Sequence, residues 1–213
     1  MQGTRTAAAL TIAVLAIARS AARAADDDTR LASAIKEAQM SVSSFRETVT
    51  GLPNASTTIV FVKPDRAHLE MSFGPLKTET VVIGSTGYVR MNDGPWLVST
   101  MQNQENFAKQ YLASFQNQTT FTFLPDRQEG GITYGTLSTT IGASTLLPPS
   151  GAMAENTAST PITMQCTYEK ATYLMHVCTM QQPGSQIPIT ITYSAWNDPQ
   201  NVVTVPPDAP VAK

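Results

Sequence analysis

Thr57-Thr58-Ile59-Val60-Phe61-Val62-Lys63, Pro64-Asp65, Arg66-Ala67-His68-Leu69-Glu70-Met71-Ser72-Phe73 and Gly74-Pro75 follow one another without interruption, and their reading decides the fold. Two runs rich in Val, Ile, Thr and Phe are each closed by turn residues, the pattern of consecutive short antiparallel strands. Thr78 to Ile83, ending at Gly84, and Tyr88 to Asn92, closing on Asp93-Gly94-Pro95-Trp96, continue the meander. In the second run Ala67, Leu69, Met71 and Phe73 share one face and Arg66, His68, Glu70 and Ser72 the other, because side chains alternate along a strand. One face of the sheet therefore needs an apolar partner.

Working outward, Thr29 to Met40 spaces Leu31, Ile35 and Ala38 at helical intervals behind acidic and threonine cap candidates, which predicts a short amphipathic helix lying on the sheet. Ser43 to Gly51 reads as the first strand, with Leu52-Pro53-Asn54 as its turn. Phe107, Tyr111, Leu112 and Phe115 recur at three- and four-residue intervals and predict a second helix over Gln102 to Gln116. Thr119 to Leu124 and Gly131 to Ile141 return to strand composition around Pro125-Asp126, and Ser144 to Pro161 reads as a long irregular loop. Ile162 to Tyr168 and Thr172 to Met180 form a hairpin, followed by strands at Gln186 to Tyr193 and Asn201 to Val205. About eleven strands and two helices, with no helix between consecutive strands, give a mainly antiparallel α+β fold, a strongly curved sheet with helices on one side.

Met1 to Ala24 has the layout of a cleaved secretory leader: an early Arg5, an apolar run over Thr6 to Ala18, and small residues in Ala22-Arg23-Ala24 before Ala25. The remainder, 25–213, is expected to be one soluble periplasmic domain and a monomer. Its removal takes Arg5, Arg19 and Arg23, so the basic residues fall to 14 − 3 = 11 against 16 acidic ones. A net negative chain without a basic cluster argues against a nucleic-acid or anionic-membrane partner.

Cys166 and Cys178 are the two cysteines and lie equally far from Thr172, so a hairpin turning there sets them opposite each other within disulfide reach. Export to an oxidising compartment favours that bond. The alternative is a soft-metal site, since strand parity would put Met164, Cys166, His176, Cys178 and Met180 on one face, but Ile162, Tyr168 and Leu174 mark that face as core. His68 and His176 are the only imidazoles, no Gly-x-Ser-x-Gly, His-x-x-x-His or glycine-rich phosphate loop occurs, and no carboxylate pair stands out. The chain reads as a non-enzyme without cofactor or metal.

The order of features resembles the periplasmic LolA-type lipoprotein carriers and their LppX/LprG-like relatives. The resemblance is carried by the helix with Leu31 and Ile35, Ser43-Ser44-Phe45 entering a strand, Phe61-Val62-Lys63-Pro64-Asp65-Arg66, the hairpin Val82-Ile83-Gly84-Ser85-Thr86-Gly87-Tyr88-Val89, and the closing Val202-Val203-Thr204-Val205-Pro206-Pro207. It implies an unclosed β-barrel whose concave side, covered by helices, holds acyl chains. It also implies a basic residue at the cavity mouth, Lys63, where the carriers commonly have arginine; lysine lacks that planar fork.

On the residues themselves, Phe61, Leu69, Met71, Val81, Ile83, Val89, Met91 and Trp96 are the candidate ligand-cavity lining. Each methylene buried there would contribute roughly 0.8 kcal/mol. The leading expectation is a carrier or binder of a lipid, acyl chain or other hydrophobic ligand, with a lipoprotein or membrane protein as possible partner. The alternative is an envelope sensor that recognises a protein through the same sheet, and an enzyme ranks last.

Overall fold

The computed structural model describes residues 27–100, 121–142, 161–181 and 187–210. The expected leader, the Phe107 to Phe115 stripe and all of the Ser144 to Pro161 loop except its last residue lie outside them. Among the described residues there are eleven strands: β1 (Ser44–Leu52), β2 (Ala55–Val62), β3 (Arg66–Phe73), β4 (Leu76–Ile83), β5 (Thr86–Met91), β6 (Leu97–Thr100), β7 (Phe121–Glu129), β8 (Ile132–Gly142), β9 (Pro161–Glu169), β10 (Met175–Met180) and β11 (Ile189–Ser194). They form one sheet in the order β6-β5-β4-β3-β2-β1-β11-β10-β9-β8-β7, antiparallel throughout. Two meanders meet where β1 pairs with β11, so the edges β6 and β7 stand at opposite ends and the barrel is unclosed.

The meander falls where its alternation and turn residues put it. Asn54, Asn92 and Asp93 take left-handed backbone angles at hairpin tips, which Asn and Asp tolerate. Three boundaries differ from the sequence reading. The β7–β8 turn is at Gly130-Gly131, both at positive φ, and not at Pro125-Asp126. Pro125 instead sits inside β7, where the register shifts between Leu124 and Arg127; β7 is an edge strand, which tolerates a missing N–H. The count of eleven is right through an exchange: Leu97–Thr100 is a strand, whereas 201–205 joins no ladder.

Helix α1 (27–41) lies on one face of the sheet, here called inner. Leu31, Ile35 and Val42 pack into the main core with Phe45, Phe61, Ala67, Leu137, Cys166, Tyr168 and Ile191. The Lys36 ammonium stands 5.6 Å over the Phe121 ring, and Gln39 Nε2 donates to the Tyr173 carbonyl at 3.2 Å. Gly135 makes room for Tyr168: a Cβ there would lie 2.1 Å from its ring, so any side chain would expel the tyrosine from the core.

The Cys166–Cys178 disulfide is formed, between directly opposed residues of β9 and β10, buried in the inner core. Both sulfurs are thereby consumed and no thiolate is left for a metal. His176 does not share their face, because a bulge between Met175 and Val177 shifts the register and its ring stacks on Tyr134 at 4.8 Å.

A second, smaller core lies on the outer face, where Val81, Tyr88 and Trp96 pack with Val203 and Ala209 of the C-terminal segment. Asn201 fixes that segment: its amide donates to Ser44 Oγ and the Ala195 carbonyl, and its oxygen accepts from Arg46 Nε at 2.9 Å. No described helix is long and apolar enough to cross a membrane.

Candidate functional site: the open half of the inner face

The ladder register sorts the inner face into rows that cross the strands. Phe45, Phe61, Ala67 and Val82 form a row buried in the core. The next row is Glu47, Ile59, Leu69, Thr80, Val89 and Leu97, from β1 to β6. Val49, Thr57, Met71, Thr78 and Met91 follow, then Ala55, Phe73 and Leu76. Burial falls from the first row to the last and from β1 towards β6. Met71 is 43% exposed, Phe73 67%, Met91 54% and Leu97 66%. A sheet face carrying this many exposed large apolar side chains is uncommon, which makes it the candidate binding surface.

The eight expected lining residues do not share one surface. Phe61, Leu69, Met71, Val89 and Met91 are on the inner face, although Phe61 is already covered by core neighbours. Val81 and Ile83 alternate to the outer face and Trp96 joins them under the C-terminal segment. Parity explains this: inward Val82 lies between Val81 and Ile83, and a list drawn from consecutive apolar residues mixes both faces. Phe73, Leu76 and Leu97 also stand exposed on the inner face and were not among the eight; Phe73 was legible from its alternation with Leu69 and Met71. Lys63 donates through Nζ to the Met40 carbonyl at the end of α1, and partial burial lowers its pKa. Its charge thus meets the negative end of the helix.

Glu47 is the residue that sequence reasoning missed. Its signal was parity with Phe45 and Val49, which directs a carboxyl into the interior. It is 5% exposed, its Oε2 has no hydrogen-bond partner, and burial pushes its pKa up to about 8. Directly opposite stands Tyr193, whose pKa is raised well above its ordinary value by burial and then by the Glu47 charge.

The outer face of the same strands is chemically different. His68 Nε2 lies 2.8 Å from Glu79 Oε1 and 3.8 Å from Glu70 Oε1, and Arg90 pairs with the other Glu79 oxygen while its guanidinium rests 4.7 Å over Trp96. The His68, Glu70 and Glu79 donor atoms lie within 4.8 Å of one another, a composition compatible with a cation, but Glu79 is committed to Arg90 and His68. Nearby, a depression of about 340 Å³ is lined by Ser56, Glu70, Lys77, Glu79, Arg90 and Asp93 among others. It is polar, with the acidic Glu70, Glu79 and Asp93 beside the basic Lys77 and Arg90, so it is no seat for hydrocarbon; the apolar surface is the open inner face.

No family model matches the sequence, and comparison with curated proteins gives no match. Solved structures do match. LprF from Mycobacterium bovis superposes with a TM-score of 0.58 at 15% identity, covering 87% of this chain and 98% of the other. The Mycobacterium tuberculosis lipoprotein LppX gives 0.52 at 17%, covering 81% and 97%. The chain has the LppX/LprF fold. At these identities the likeness is one of architecture, and it spans nearly the whole of both relatives. In the LppX/LprF fold as this chain builds it, the α1 side is the inner face described above.

Proposed function

We propose that this chain is an exported binding or carrier protein for a hydrophobic ligand, a lipid or the acyl chains of a lipoprotein. The leader-like layout of Met1 to Ala24 supports export to the periplasm. One observation carries the reading: the inner face is sealed by α1 over one part and presents Met71, Phe73, Leu76, Met91 and Leu97 to the outside over the other. Burying such side chains against hydrocarbon contributes about 25 cal/mol per Å² of apolar surface. Binding without turnover fits the two imidazoles, since His68 is hydrogen-bonded to Glu79 and His176 is stacked on Tyr134. The shared LppX/LprF fold supports the reading at the level of architecture.

The test is titration with an uncharged fluorescent long-chain acyl ester. Saturable one-to-one binding, weakened at least tenfold by Phe73→Asp with the fold intact by circular dichroism, is expected. Non-saturable binding, or an unaffected variant, would leave the open face without this role.

A further inference from the structure

The row from Glu47 to Leu97 is apolar along most of its length yet begins at a carboxyl. Glu47 is flanked on its strand by inward Phe45 and Val49 and across the ladder by Ile59 and Tyr193, none of which carries a positive charge. Among the described residues, no ion pair therefore explains an acid at this point. Its Oε2 is sealed from solvent and lacks any partner, in a protein interior where orphan polar atoms are rare and each needs a reason. The other end of the row is open at Leu97, five strand spacings away, about 24 Å at 4.8 Å per spacing. That length is of the order of an extended acyl chain; a ligand lying along the row from Leu97 would reach Glu47 only by displacing the packing that covers it, and its polar group would then meet the carboxyl.

We infer that Glu47 is the specificity-determining residue of the inner face: its carboxyl hydrogen-bonds an uncharged oxygen of the ligand, an ester carbonyl or a hydroxyl, and so selects oxygen-bearing acyl lipids over plain hydrocarbon. The inference rests on the hydrophobic-ligand reading above. A protonated carboxyl both donates and accepts, which complements a hydroxyl and satisfies an ester carbonyl. An ammonium would force the carboxyl to ionise in an apolar surround, and a carboxylate would oppose it with like charge, so both classes are disfavoured.

The experiment displaces a bound polarity-sensitive dye with monopalmitoylglycerol, hexadecanol and hexadecane, using the full mature chain. Wild type is expected to prefer one or both oxygen-bearing probes over hexadecane by about tenfold, the size of one satisfied buried hydrogen bond. The stronger of the two tells ester from hydroxyl. Glu47→Leu should abolish the preference while still binding hexadecane, and Glu47→Gln, which keeps both a donor and an acceptor, should retain most of it. In wild type the infrared carbonyl band of carbon-13-labelled Glu47 should shift on loading with the preferred probe. Equal binding of all three probes with no effect of Glu47→Leu would overturn the inference, as when a buried water satisfies Oε2, and would leave the hydrophobic-ligand reading standing. Displacement by none of them would overturn both.

Discussion

Glu47→Gln tests the internal carboxyl through stability alone. In the folded chain burial holds the Glu47 proton to about pH 8, whereas the unfolded chain releases it near 4.5. Below 4.5 both states are protonated and the group contributes no pH dependence. Between 4.5 and about 8 the unfolded state ionises first and binds fewer protons, so stability falls as pH rises; above about 8 both are ionised and the loss is complete. At about 1.4 kcal/mol per pH unit, the interval is worth about 5 kcal/mol, an upper figure for a single buried acid. Glutamine cannot ionise, though its buried amide brings a desolvation cost of about 1–3 kcal/mol. Urea unfolding followed by tryptophan fluorescence from pH 5 to pH 9 should therefore show wild type losing several kcal/mol while Glu47→Gln stays flat. The two should be close, or the variant weaker, at pH 5, and the variant more stable by about 2–4 kcal/mol at pH 9. Parallel curves across that range would refute the claim that the carboxyl is buried without a partner.

Three further outcomes follow from named contacts. Reducing the Cys166–Cys178 bond, or Cys178→Ser, should lower stability by about 2–4 kcal/mol, read as a fall in thermal midpoint, because a 12-residue separation is released in the unfolded chain. Phe61→Ala removes a side chain that the core covers almost completely and should cost about 3–5 kcal/mol in chemical denaturation. Asn201→Ala breaks the hydrogen bonds to Ser44, Ala195 and Arg46, so the C-terminal segment should become accessible to limited proteolysis with the β1–β11 pairing still intact by hydrogen exchange.

Much of the architecture was legible from alternation and turn chemistry. Ala67, Leu69, Met71 and Phe73 gave β3 both its limits and its inward face, and the equidistance of Cys166 and Cys178 from Thr172 gave the disulfide. The errors occurred where a local rule met a tertiary one. Pro125 reads as a turn until an edge strand with a bulge accommodates it. His176 reads as a neighbour of the cysteines until the Met175–Val177 bulge turns it towards Tyr134. The run from Asn201 to Val205 has strand composition, but it packs across the outer face through Val203 and the Asn201 hydrogen bonds instead of joining the ladder. The site was half legible for the same reason: apolar character is visible residue by residue, whereas the face each residue serves depends on register. Glu47 was hidden because a charged residue in a strand reads as solvent-facing until its parity with Phe45 and Val49 is followed.

Native mass spectrometry of residues 25–213, purified without detergent from cells, tests the central claim most directly. The expected spectrum carries an additional mass matching one acyl lipid per chain, and that mass disappears in Phe73→Asp and Leu97→Asp variants that unfold at the wild-type temperature. A bare polypeptide mass from every preparation, or an adduct that survives both substitutions, would contradict the assignment of the open inner face as the ligand site.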